Sequence, residues 1–142
     1  MSMTNTATAS YESLGKDGNG HVATGSGALD APYGFGTRFE DEKGTNPEEQ
    51  IAAAHASCFT MATSFALAKE GFSDGTLKTD CTVTLEKDGD GFKVASSALK
   101  LDAKVPGLSQ EKFAEVTDTT KKECPISKLL NCEITLERTL SA

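Results

Sequence analysis

The chain has 142 residues, 37% of them hydrophobic and 25% charged, with a formal net charge of -7. That length suits a single domain spanning 1-142 with a real core, and the acidic balance excludes electrostatic capture of nucleic acid or of an anionic membrane surface. Met1 to Ser10 lacks the basic start and apolar centre of a signal peptide, so a cytoplasmic protein is expected, whose four cysteines are structural, reactive or metal-binding rather than permanently bridged.

In chain order, Ala7 to Leu14 and His21 to Leu29 read as strands on either side of KDGNG, where Asp17-Gly18 and Asn19-Gly20 are hairpin signals. His21, beside this turn, is expected to be a solvated or pairing residue. Ala31 to Gly44 follows, with Gly34 and Gly36 alternating with Tyr33, Phe35 and Phe39. It is too glycine-rich for a helix and too aromatic for an idle linker. Lining a pocket and packing a core are equally weighted roles for its three aromatic rings.

Thr45 to Gly71 carries the strongest pattern. Asn46 suits a helix cap, Pro47 the first helical position, and Glu48 and Glu49 the positive end of the helix dipole, while Gly71 marks the stop. The helix would have about 24 residues and be about 36 Å long. Ile51 through Ala68 contains no Asp, Glu, Lys or Arg. A membrane span is rejected because His55, Ser57, Thr60, Thr63 and Ser64 interrupt the run and no Lys/Arg cluster or Trp/Tyr belt flanks it. A helix apolar all round needs cover on every side, and in so short a chain a partner copy is expected to supply part of it.

Beyond it, Cys81 to Glu86 alternates, a turn at Lys87 to Gly91 follows, and Phe92 to Val105 alternates again, which predicts a second hairpin. Ser109 can cap a helix with Phe113 and Val116 facing the core, and Pro125 breaks that helix and opens a short further one. A last strand over Asn131 to Leu140 places Cys132, Ile134, Leu136 and Leu140 on one face, so Cys132 is expected to be buried like Cys81. A surface pair is expected for Arg138.

Two cysteines stand apart from the strands. Cys124 lies at a helix start, where backbone N–H groups and the dipole lower a thiol pKa, whereas apolar neighbours would raise that of Cys58 in mid-helix. Local electrostatics alone favours Cys124 as the nucleophile; Cys58 needs a cation from elsewhere. Glu48, ten residues before Cys58, is about 80° from it around the helix axis, while Glu49 is on the opposite side. An arginine bound bidentately by Glu48 could turn its other edge to the thiolate, and Arg38 is the natural supplier. Glu49 is assigned to capping.

The combination TRFEDEKGTNPEEQIAAAHASCF with ECPISKLL downstream resembles the OsmC/Ohr family, and PYGFGTRFE resembles its OsmC (osmotically inducible protein C) branch. The resemblance runs in order through nearly the whole chain. It implies an α+β fold with antiparallel sheets wrapped around a long central helix, in an intertwined homodimer. It also implies a thiol-dependent peroxidase that prefers organic hydroperoxides, with Cys58 as peroxidatic cysteine, Cys124 as resolving cysteine and disulfide partner, Arg38 as the thiolate-stabilising arginine and Glu48 as the carboxylate that holds it. A dithiol, such as a lipoylated protein, would be the reductant. No cofactor or metal is expected.

Two non-enzymatic readings stand beside this one. His55 and Cys58, three apart on one helical face, could join Cys124 and Cys132 in a zinc site, although no CxxC pair exists. A Cys58–Cys124 disulfide could instead switch a redox-responsive binding protein without turnover. Neither a basic patch nor a recognition helix supports such a regulator.

Overall fold

The computed structural model describes residues 1–141. Six strands and four helices follow in the order β1 (Ala7–Glu12), β2 (Asn19–Thr24), β3 (Asp30–Tyr33), α1 (Phe35–Phe39), α2 (Pro47–Lys69), β4 (Thr76–Asp88), β5 (Gly91–Lys104), α3 (Gln110–Glu123), α4 (Pro125–Leu129) and β6 (Glu133–Ser141). The fold is α+β, with two three-stranded sheets. The chain divides into two compact units, Met1–Gln50 and Ile51–Ala142.

In the first unit β1, β2 and β3 form an antiparallel meander. The first hairpin turns at Ser13 and Gly15, both with positive φ, so Asn19-Gly20 opens β2 instead of forming the turn. The expected strand over His21 to Leu29 ends at Thr24, and a turn through Gly27, also at positive φ, leads into β3. The expectation against a helix in Ala31 to Gly44 is likewise corrected by α1. Thr37 Oγ1 accepts from the Gly34 N–H at 2.9 Å and closes the first turn. Gly36 is required for close approach, because a Cβ there would lie 1.9 Å from Glu42 Oε2. Helix propensity gave way to local side-chain capping and tight packing.

Helix α2 starts and stops as its sequence dictates. Asn46 Oδ1 accepts from the Glu49 N–H at 2.7 Å, and the Phe72 N–H closes the far end on Leu67 O at 3.0 Å around the left-handed Gly71. By length and composition it could cross a membrane, with a mean hydropathy of 1.4. Its buried residues, however, are His55, Phe59, Thr63 and Leu67, a stripe at spacing four. The polar members of that stripe are held by protein groups, Thr63 by Thr120 at 2.9 Å and His55 by two serines. That is core packing.

In the second unit this stripe meets Leu99, Leu101, Ala103 and Val105 of β5 and Phe113 and Val116 of α3. Each fully buried Phe or Leu contributes about 1.5–3 kcal/mol. β4 and β5 pair antiparallel with a bulge at Thr84/Leu85, and β6 pairs parallel with β5. The expected antiparallel order therefore fails at β6, because α3 and α4 intervene and carry the chain back to the start of β5's partner edge; a parallel pair needs such a crossover. Arg138 ties β6 to α3 through the Asp118 carboxylate and Thr117 Oγ1. Cys81 is half-buried against the core, and Cys132, just ahead of β6, is also half-buried, short of the full burial its parity suggested.

Candidate active site

Arg38 and Glu48 come together inside the first unit. Arg38 is near the end of α1 and Glu48 in the first turn of α2. Nε donates to Oε1 at 2.8 Å and Nη2 to Oε2 at 2.9 Å, a bidentate fork that raises the guanidinium pKa and leaves Nη1 outside it. Asn46 aligns the two elements, since its Nδ2 donates to Thr37 O at 2.9 Å while its Oδ1 caps α2. Glu49 is taken by Thr45 Oγ1 at 2.9 Å. Of the adjacent glutamates, Glu48 is thus the arginine's partner.

Tyr11, Tyr33, Phe35 and Phe39 line a cavity of about 380 Å³ in this unit, and Arg38 is part of its wall. Tyr11 and Tyr33 meet edge to face with centroids 5.9 Å apart, and Phe35 and Phe39 are 5.1 Å apart. The aromatic residues of this stretch therefore shape a pocket wall, with none of them among the fully buried side chains.

Cys58 and Cys124 come together inside the second unit. Cys124 is fully buried, Cys58 is half-buried on α2 beside the core stripe, and both are free thiols. Burial pushes the Cys58 thiol up, the Ile126 N–H hydrogen-bonded to its sulfur pulls it down, and the adjacent Cys124 pushes it up again, with a net rise. Cys124 caps α4 with its backbone but not with its side chain. The helix-start amide that sequence reasoning gave to Cys124 points instead to Cys58. Pro125 at the first position has no N–H, which makes Ile126 the first donor of α4. That could have been read from the sequence; its target could not.

His55, one turn before Cys58, is fully buried, and burial lowers its pKa. Nδ1 is 2.6 Å from Ser97 Oγ and Nε2 2.8 Å from Ser127 Oγ. Both ring nitrogens are occupied, so His55 has none for a metal, and among the described residues no group of three His, Cys, Asp or Glu side chains is arranged to hold one. Cys81 extends the chain, its Sγ 3.2 Å from Ser97 Oγ. Sequence reasoning missed Ser97 and Ser127, since neither lies in a recognisable spacing with His55. On the opposite face of α2, Met61 and Phe65 are 60% and 64% exposed and line a cavity of about 760 Å³ with Leu77 and Thr79.

Comparison with known proteins gives one consistent result. The family model described as OsmC-like protein matches residues 40–138. The chain is 47% identical over 128 residues to Peroxiredoxin OsmC of Escherichia coli, covering 89% of this chain and 90% of that protein. It is 36% identical over 111 residues to Organic hydroperoxide resistance protein-like 1 of Staphylococcus saprophyticus, covering 78% of each. Among solved structures, the organic hydroperoxide resistance protein OhrB of Bacillus subtilis is similar with a TM-score of 0.71 and 30% identity, over 96% of this chain and 98% of that one.

Proposed function

The chain belongs to the OsmC-like protein family, and from that membership we propose that it is a peroxidase of peroxide defence, reducing organic hydroperoxides, and hydrogen peroxide less readily, through Cys58. The observation that carries this reading is the half-exposed Cys58 thiol with Cys124 at its side and the Ile126 N–H on its sulfur. A nucleophile, a second thiol and a donor to the thiolate are the parts such a reaction uses.

The Cys58 thiolate attacks the distal oxygen of the hydroperoxide and the O–O bond breaks. The alkoxide takes a proton and leaves as alcohol, and Cys58 becomes a sulfenic acid. The Cys124 sulfur then attacks the Cys58 sulfur, water departs, and a disulfide forms. A dithiol reopens it by exchange and is itself oxidised to a disulfide; a lipoylated protein has the required chemistry. The role of Arg38, held by Glu48, is to favour the Cys58 thiolate and the charge developing on the leaving oxygen. Burial pushes the Cys58 thiol up, and a guanidinium beside the thiolate is the kind of group that would offset it. The aromatic cavity beside Arg38 favours a peroxide with an apolar substituent. The exposed Met61–Phe65 face of α2 supports a homodimer, and cytoplasmic residence follows from the free thiols the chemistry needs.

The deciding measurement is steady-state consumption of cumene hydroperoxide against hydrogen peroxide, with dithiothreitol or a monothiol as reductant. Cys58→Ser is expected to abolish turnover, and Cys124→Ser to allow one turnover followed by over-oxidation. Full multiple turnover in both variants would falsify the peroxidase reading.

A further inference from the structure

The Cys58–Cys124 approach is one of two contacts between the same two elements. Cys58 on α2 meets Cys124 at the start of α4, and His55, three residues earlier on α2, meets Ser127, three residues later on α4. The two contacts step in opposite directions along the chain, which is the register of antiparallel neighbours. Helix α4 has only five residues and cannot hold itself in place. Pro125, Lys128 and Leu129 are exposed, so its anchors are half-buried Ile126 and buried Ser127. The Ser127 bond ends on a fully buried ring fixed from behind by Ser97 of β5.

We infer that His55 is a positioning residue, a buried two-ended strut between β5 and α4 that sets the Cys124 thiol and the Ile126 N–H against the Cys58 sulfur. Either neutral tautomer serves, because each serine hydroxyl can donate or accept, and ring rotation is blocked at both nitrogens. Without the Ser127 bond α4 keeps only the apolar packing of Ile126 and of Cys124 at its start, which has no directional hydrogen bond to fix its position. Both thiol contacts then loosen together, since Cys124 and Ile126 flank the single residue Pro125. A half-ångström shift is enough to weaken an N–H···S bond and a sulfur–sulfur approach. In the reaction proposed above, on which this inference rests for its purpose, the Ile126 N–H held by the strut lowers the cost of forming the Cys58 thiolate, and the Cys124 thiol it holds speeds capture of the Cys58 sulfenic acid.

The test uses Ser127→Ala in the full-length protein, which removes only the α4 end of the strut, with Ser127→Thr as the variant that keeps a hydroxyl. Two readouts need no peroxide. The first is the pH dependence of Cys58 alkylation by iodoacetamide, followed by mass spectrometry at that residue. The second is the Cys58–Cys124 disulfide equilibrium in glutathione buffers. Ser127→Ala is expected to lower the neutral-pH alkylation rate of Cys58 and its disulfide equilibrium constant, each by about threefold to tenfold, with Ser127→Thr recovering both. His55→Gln, which keeps a donor and an acceptor, is expected to fall between Ser127→Ala and wild type. If Ser127→Ala leaves both readouts at wild-type values while lowering only the melting temperature, the hydrogen bond is merely structural and the inference is overturned. Turnover of the wild-type protein on cumene hydroperoxide decides the peroxidase reading separately.

Discussion

Arg38 and Glu48 are joined by two parallel hydrogen bonds of 2.8 and 2.9 Å, with one residue on α1 and the other in the first turn of α2. The fork fixes the plane of the guanidinium, and it exists because Asn46 holds both elements at once. A lysine at position 38 would keep the charge and lose the plane.

On the role proposed for Arg38, Arg38→Ala is expected to raise the Cys58 pKa and lower kcat/KM for an organic hydroperoxide by about 100-fold. Arg38→Lys should recover little of this, and Glu48→Gln should give an intermediate loss because one charged prong of the fork becomes neutral. Stopped-flow rates across a pH series check all three. Wild-type values in Arg38→Ala would remove the arginine from the chemistry.

Cys124 pushes the Cys58 thiol up, so deleting it has two opposite effects. Cys124→Ala is expected to lower the Cys58 pKa and to leave the first turnover as fast as wild type or faster at neutral pH, while steady-state turnover collapses. A rapid-mix experiment that separates sulfenic acid formation from disulfide formation reads both. A first turnover slowed about tenfold or more would mean that Cys124 assists the attack itself.

Burial lowers the His55 pKa from its ordinary 6.5, which has a definite sign for stability. Above pH 6.5 the ring is neutral in both folded and unfolded chains and nothing is lost. As pH falls through 6.5 the unfolded chain takes up a proton that the folded chain refuses, and stability drops. Urea midpoints are expected to fall between pH 7.5 and pH 5.5 more steeply for wild type than for His55→Gln. The comparison cancels every group that the two proteins share, the exposed His21–Asp30 pair included. Equal slopes would show that His55 is protonated in the folded chain.

Met61 and Phe65 project from α2 on the side away from its buried stripe. Phe65→Glu is expected to convert a dimer to a monomer at micromolar concentration, as read by sedimentation, since a charge cannot be desolvated cheaply in an apolar contact. A wild-type protein that sediments as a monomer would leave this face without the proposed cover.

Helices α2, α3 and α4 were the most legible part of the sequence because their signals are local. Asn46, Pro47, Gly71, Ser109 and Pro125 each act within one turn, and each does in the structure what its chemistry predicts. Arg38 and Glu48 could be matched because helical phase and a missing charge constrain each other. What escaped depended on contacts distant in sequence. Ser97 and Ser127 are 42 and 72 residues from His55, and no periodicity records them. The parallel β6 escaped for the same reason, since alternation defines a strand's faces but not its direction. Helix α1 escaped because its two glycines argued against a helix in Ala31 to Gly44, whereas in the structure the Thr37 hydroxyl and the space at Gly36 prevail.

The parallel pairing of β5 with β6 also bears on the order in which the chain completes itself. Everything from Pro106 to Cys132 must be in place before the last strand can dock, and long-range parallel pairing forms late. Cys124 lies on that returning segment. A chain still emerging from the ribosome therefore presents Cys58 before Cys124 exists, so in the proposed reaction the newborn protein passes through a stage in which oxidation of Cys58 would have no internal remedy. Loss of the nine residues of β6 would leave the edge of β5 open to other chains.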